Sequence, residues 1–139
     1  ISLKSTSLMS FKEIAVGDHS FQGKEKPIRL KDLIENPLIS LGQGSTTYEF
    51  YSKFFLENDL VLSPDTEVET IDQVLPLIMN GLGIGFLPEL FVRPVIEEGK
   101  VCQIPLKENI PEREICLVEN HTFPPSITAE MFKKMLVLK

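Results

Sequence analysis

The segment Gly81-Leu82-Gly83-Ile84-Gly85 limits the folds open to this chain more than any other stretch. It follows Ile71, Val74, Leu75 and Ile78, which occupy i, i+3, i+4 and i+7 and so form one stripe of a 3.6-residue period. It leads into Ile84, Phe86 and Leu87, an apolar run of strand length. The order is therefore helix, glycine turn, strand. A dinucleotide-binding glycine fingerprint runs the other way, strand first, so that helix amides face a pyrophosphate. The phosphate-cradle reading fails on this order, and a tight helix-to-strand return remains. Gly81 stands where a left-handed residue closes a helix. Pro76, inside the helix, costs one backbone hydrogen bond or a slight kink, and Pro88 suits the first turn of a following helix.

The rest of the chain repeats this alternation. Residues 11–17 read as a strand ending at a glycine turn, 30–34 as a short amphipathic piece, and 37–41 as an apolar strand ended by Gly42-Gln43-Gly44. Tyr48, Tyr51 and Phe55, with Phe50 and Phe54 beside them, fall at helical spacing over 46–56. Residues 66–70, 101–106 and 113–119 are strand candidates. The end, 126–138, reads as a helix with Met131, Phe132, Met135 and Leu136 on one face. Strands alternating with helices predict an α/β domain with a largely parallel sheet.

Composition removes several function classes. The formal net charge is −6 with pI near 5.0, whereas a phosphate-gripping domain carries a basic stripe. Lys24, Lys26, Arg29 and Lys31 are interleaved with Glu25 and Asp32 and read as a solvated loop and helix start. Direct nucleic-acid contact by this chain is not expected. Cys102 and Cys116 sit alone in apolar runs, so each reads as a small buried hydrophobe in a reducing compartment. No apolar run approaches the ~20 residues that cross a bilayer. The chain begins at Ile1 with no signal-peptide pattern, as a segment excised from a longer polypeptide would. The two histidines, His19 and His121, neighbour no serine, cysteine or carboxylate in a nucleophile pattern, and no spacing suggests a metal site. Neither catalysis nor a cofactor is expected.

Two helix starts carry the binding chemistry. Thr46-Thr47-Tyr48-Glu49 and Thr70-Ile71-Asp72-Gln73 both match the capping box, a threonine followed three residues later by Glu or Gln. Each comes directly after a predicted strand and short loop. In open α/β sheets ligands sit at the carboxyl ends of strands, where helix N-termini present amides and a positive dipole end. Capping alone explains either threonine taken singly; two such starts converging would suit a small anion or polar metabolite.

The ordered set of motifs resembles the effector-binding domain of LysR-type transcription regulators. The resemblance is carried by Leu30-Lys31-Asp32-Leu33, by Pro37-Leu38-Ile39-Ser40-Leu41-Gly42-Gln43-Gly44-Ser45-Thr46-Thr47, and by Val68-Glu69-Thr70 with its helix. It continues through Gly81-Leu82-Gly83-Ile84-Gly85-Phe86-Leu87-Pro88-Glu89, Gly99-Lys100-Val101, Pro105-Leu106 and Arg113-Glu114-Ile115-Cys116-Leu117-Val118. Each motif alone is weak, while the order and spacing together cover nearly the whole chain. One local departure is Asp18-His19-Ser20, where the family often has proline after the histidine.

The resemblance implies a periplasmic-binding-protein type II-like α/β fold, with two lobes joined by crossover strands and the effector in the cleft. On that mapping residues 17–112 are effector-binding lobe two, complete. Residues 1–16 and 113–139 are the crossover strands and a remnant of lobe one. The first half of lobe one and the DNA-reading winged helix-turn-helix lie outside this sequence. The resemblance also implies that Gly42, Gln43, Glu69, Thr70 and Ile71 line the cleft, with the Thr70 hydroxyl and following amides holding a ligand oxygen. Effector binding would then shift the population of lobe arrangements in a cytoplasmic homo-oligomer that touches DNA only through its N-terminal domain, without any membrane. A transport solute-binding protein of the same fold is the alternative. A third reading, an enzyme on this scaffold, would need an acid/base pair for which Glu69 is the sole candidate.

Overall fold

The structure is a computed structural model that describes residues 2–137, with the backbone alone described at Val137. Leu138, expected in the final helix, lies outside the described residues. The chain divides into two compact units: Lys12–Pro111, and the stretches on either side of it.

In the larger unit, strand β2 (Glu13–Gly17) is the middle of a three-stranded sheet. It runs antiparallel to β5 (Gly85–Pro88), with Ala15 opposite Phe86, and antiparallel to β6 (Cys102–Ile104), with Ala15 opposite Ile104. The short strands β3 (Ile39–Leu41) and β4 (Thr66–Val68) pair in parallel, and a parallel bridge from Leu38 to Ile84 sets β3 beside β5. The expected largely parallel sheet is therefore corrected to a mixed one. The reason is β2: entering from the flank, it lies against two strands that point the other way, and its backbone hydrogen bonds are spent on both.

Alternation along the strands sorts the core into two layers, because successive side chains point to opposite faces. Ala15, Leu38, Ile84 and Phe86 pack with Tyr51, Phe54 and Phe55 of α2 (Thr46–Glu57) and with Leu30 and Leu33 of α1 (Leu30–Leu33). Ile14, Val16, Ile39 and Leu87 pack with Val74 and Ile78 of α3 (Ile71–Met79) and Val92 of α4 (Glu89–Glu97). Covered on both faces, β2 is buried at all five positions. The Tyr51 and Phe86 rings stack at 4.7 Å, and burial of a side chain such as Phe55, 1% exposed, contributes about 1.5–3 kcal/mol.

The helix ends repeat one device. After α3, Gly81 takes φ 74°, its N–H donates to Ile78 O at 3.0 Å, and the Leu82 N–H reaches back to Leu77 O at 3.1 Å. That pair of bonds is a Schellman closure. Gly99 closes α4 in the same way at φ 77°, with Lys100 N–H donating to Val95 O. Asp59 closes α2 at φ 62°, with Leu60 N–H donating to Phe55 O. The expected glycine closure at Gly81 is present. Pro76 sits within α3, and its carbonyl accepts from both the backbone and side-chain nitrogens of Asn80. Pro88 caps α4 one residue ahead of the expected first turn, because the helix starts at Glu89, whose N–H donates to Lys12 O at 2.8 Å. At the unusual Asp18-His19-Ser20, Asp18 caps a single 3-10 turn, His19–Phe21.

The smaller unit pairs β1 (Leu3–Phe11) antiparallel with β7 (Arg113–Asn120) and adds α5 (Ile127–Val137). Cys116, expected to be buried, is exposed on β7, and Cys102 is half-buried. An apolar neighbourhood in sequence buries a thiol only where a second layer covers that face; no residue of this unit reaches the buried class among the described residues.

Candidate functional site

The parallel pair β3–β4 brings the expected site residues to one end of the larger unit. Leu41 lies opposite Val68 at the carboxyl ends of the two strands. The Gly42 N–H extends the ladder to Val68 O at 3.2 Å, so Gly42-Gln43 and Glu69-Thr70-Ile71 leave the sheet side by side. Two helices start here. Gly42 O accepts from Ser45 Oγ at 3.0 Å and from Ser45 N at 3.3 Å, which turns the chain into α2.

The cap of α2 differs from the expected one. Ser45 and not Thr46 is the capping residue: its Oγ accepts from Tyr48 N–H at 3.0 Å. The sequence holds three consecutive hydroxyl residues there, and the one in extended backbone geometry, φ −83° and ψ 149°, caps. At α3 the cap residue is Thr70, as expected. Gln73 Oε1 accepts from the N–H groups of both Glu69, at 2.9 Å, and Thr70, at 3.1 Å, while Gln73 N–H donates to Thr70 O at 3.1 Å. The Gln73 side chain thus fixes the backbone of the two residues expected to meet a ligand.

Gln43, Glu69 and Thr70 are exposed, and Gly42 and Ile71 are half-buried. Beneath them lies a recess of about 10 Å³, room for about one water. It is lined by Ser40, Thr47, Tyr51, Ile71, Val74 and Phe86, among others. The recess is too small to hold more than about one water. Of the five expected residues only Ile71 reaches it. Ser40 and Thr47 were not singled out from sequence, although the alternation of Ile39-Ser40-Leu41 marks Ser40 as the polar member of its strand. Glu67 adds a carboxylate: its Oε2 would stand 3.4 Å from a Cβ placed on Gly42.

Among the described residues no group of three or more His, Cys, Asp or Glu side chains is placed to hold a metal. His19 lies on the exposed 3-10 turn, and His121 Nε2 is 3.9 Å from Glu119 Oε1 in the smaller unit. No helix among the described residues is long and apolar enough to cross a membrane.

Comparison with known proteins places this geometry. The family model described as LysR substrate binding domain matches residues 2–137. A curated Bacillus subtilis (strain 168) protein, the uncharacterized HTH-type transcriptional regulator YwqM, is 29% identical over 100 residues, 72% of this chain and 33% of its own length. This chain thus spans about a third of that relative. Among solved structures, the regulatory domain of Synechocystis PCC6803 CcmR in complex with 2-PG aligns with TM-score 0.84 at 16% identity, covering 99% of this chain and 67% of its own. The effector binding domain of QuiR in complex with shikimate aligns with TM-score 0.81 at 18% identity, covering 98% and 64%. At such identities the two structures establish the fold: the α/β architecture is that of LysR effector-binding domains, periplasmic-binding-protein type II-like.

Proposed function

This chain belongs to the LysR substrate binding domain family, and from that premise we propose that it senses a small-molecule effector for a bacterial transcription regulator. The observation that carries the reading is the convergence of Gly42-Gln43 with Glu69-Thr70-Ile71 at the carboxyl ends of β3 and β4. The effector rests on these loops, a small anion or polar metabolite, with a ligand oxygen against the Thr70 hydroxyl. The solved relatives seen with shikimate and 2-PG support a ligand of that size. Binding shifts the population of domain states, and the regulator's DNA affinity follows that shift.

In this reading residues 17–112 form the effector-binding lobe, while 1–16 and 113–139 are crossover strands and part of a second lobe. The regulator works in the cytoplasm as a homo-oligomer, reads DNA through a separate helix-turn-helix domain, and is a sensor and not an enzyme. The name of the Bacillus subtilis relative, an HTH-type regulator about three times as long as the matched stretch, supports this arrangement.

The test is a thermal melt of the regulator carrying this domain against a panel of organic acids, sugars and amino acids. A ligand at a hundredfold excess over its Kd adds about 2.7 kcal/mol of stability. The expected result is a clear upward shift with one compound class that is lost in Thr70→Ala, while basal DNA binding persists. An undiminished shift in Thr70→Ala would remove this face from the effector site.

A further inference from the structure

The chain leaves β2 by a tight reversal, at the end of the sheet where Val16 lies opposite Gly85 and Gly17 opposite Cys102. After the 3-10 turn, the Phe21 ring packs against Gly17, where a Cβ would stand 2.4 Å from Phe21 Cδ2 and 3.0 Å from Ile104 Cδ1. The ring is thus held against the sheet. Gln22, at φ −62° and ψ 134°, and Gly23, at φ 79°, then form a type II turn, closed by the Lys24 N–H on Phe21 O at 3.2 Å. That turn carries Lys24 back over the ring, with Nζ 5.3 Å from its centroid. Among the described residues Lys24 makes no ion pair.

Between this turn and the end of α4 lies a cavity of about 270 Å³. Its apolar walls are Phe21, Ile96 and Val101, the last of them buried, and Cys102 adds a half-buried thiol. Lys24 and Glu25 stand at the turn side, and Gln103 is held opposite by a hydrogen bond from Arg93 to its Oε1 at 3.1 Å. Small-molecule sites are clefts of about 300–1,000 Å³ with largely apolar walls and a few placed polar groups. A cavity just under that range suits a small ligand.

We propose that this cavity is a second ligand site, separate from the effector face, for a monoanion with an apolar ring or chain. The apolar body rests on Phe21, Ile96 and Val101, out of water, and the anionic group pairs with the Lys24 ammonium. Glu25 beside it opposes a second negative group, which restricts the class to monoanions. Strands β3 and β5 run in parallel; the effector loops leave the carboxyl end of β3, whereas the cavity lies beyond the amino end of β5. A ligand here therefore does not compete for Thr70, and this inference does not depend on the sensing reading.

The test follows iodoacetamide alkylation of Cys102 in the regulator carrying this domain, read by peptide mass spectrometry with the exposed Cys116 as internal reference. Phenylacetate and hexanoate are the probes. Molecules of that size bind with a Kd of about 1 mM, so about 10 mM probe should slow Cys102 roughly tenfold and leave Cys116 unchanged. Phenylacetamide, the uncharged counterpart, should slow Cys102 less than about twofold. Lys24→Gln, at an exposed position, should melt within about 1 °C of its parent and abolish the protection. Thr70→Ala should retain it. Saturation-transfer NMR on the same probes, which needs no reactive thiol, should give a signal from the parent that Lys24→Gln loses. A parent that neither protects Cys102 nor transfers saturation to either probe would overturn the proposal. So would equal protection by phenylacetamide, or protection that survives Lys24→Gln. Protection lost in Thr70→Ala would also overturn it, by assigning the bound anion to the effector face. A regulator with Cys102 protection intact but no effector response would count against the sensing reading alone.

Discussion

Gly83→Ala should destabilise the larger unit by about 2–4 kcal/mol, through lack of space for one methyl group. A Cβ built on Gly83 would stand 2.5 Å from Pro37 O, 3.1 Å from Pro37 C and 3.3 Å from Ile39 Cγ1. Two of these atoms are backbone, so no rotamer change relieves the contact. The same peptide groups carry the parallel bridge: Ile84 N–H donates to Pro37 O at 2.8 Å and Ile39 N–H donates to Ile84 O at 2.8 Å. Moving Pro37 O away by the roughly 0.5–1 Å required weakens at least one of these bonds. A buried amide left without its partner costs about 1–3 kcal/mol, and residual strain adds about 1. Out of a native margin of about 5–15 kcal/mol this is a large fraction. Urea unfolding is the assay, with the midpoint falling at unchanged slope. Gly23→Ala is the control: Gly23 has φ 79° but nothing within 4 Å, so it reports the conformational cost alone, about 1 kcal/mol. A Gly83→Ala cost no larger than that of Gly23→Ala would refute the steric argument.

Asp59→Gly should stabilise the protein by about 1 kcal/mol, since it puts at the end of α2 the residue that α3 and α4 already use and removes an anion from a helix C-terminus; Asp59→Asn should recover only part of the gain, and urea midpoints of the three proteins check the order. Hydrogen bonds from the Ser20 hydroxyl, at 2.6 Å, and the Ser20 amide, at 2.9 Å, hold the Asp18 carboxyl below its usual range. A folded pKa below the unfolded one adds stability that is present above the unfolded value, 3.8, and lost as pH falls through the folded one. Ser20→Ala should therefore be less stable than its parent near pH 6, and the gap should close in acid; a gap of constant size down to about pH 2 would argue against this origin.

What the sequence disclosed follows from how much burial each element has. Helices α2 and α3 were readable because their apolar faces meet a sheet, which imposes the 3.6-residue stripe on Tyr51 and Phe55 and on Val74 and Ile78. The glycine turn was readable because only a residue without a side chain fits beside Pro37 O. Strand β1 was not singled out: Leu3-Lys4-Ser5-Thr6-Ser7 carries no two-residue alternation, since neither face of that ribbon is buried. The antiparallel partners of β2 were equally hidden, because an apolar run buried on both faces does not reveal the direction of its neighbours. For the site, the sequence identified the cap at Thr70 and the loop at Gly42. It did not separate Ser45 from Thr46 as a cap, since both side chains offer the same oxygen and only the backbone angle decides.

The central place of β2 also has a temporal side. Its partners Phe86 and Ile104 follow Ala15 by roughly seventy and ninety residues, and synthesis runs at about 5–20 residues per second. The nascent strand is therefore an unpaired apolar segment for roughly 4–14 s before Phe86, the first of these partners, is made. During that interval Ile14, Ala15 and Val16, buried in the finished unit, are exposed apolar surface of the kind that promotes aggregation. The same central position makes the unit asymmetric toward damage. Loss of residues up to Phe11 leaves its sheet whole, whereas a cut only six residues further in removes the strand on which both core layers are built.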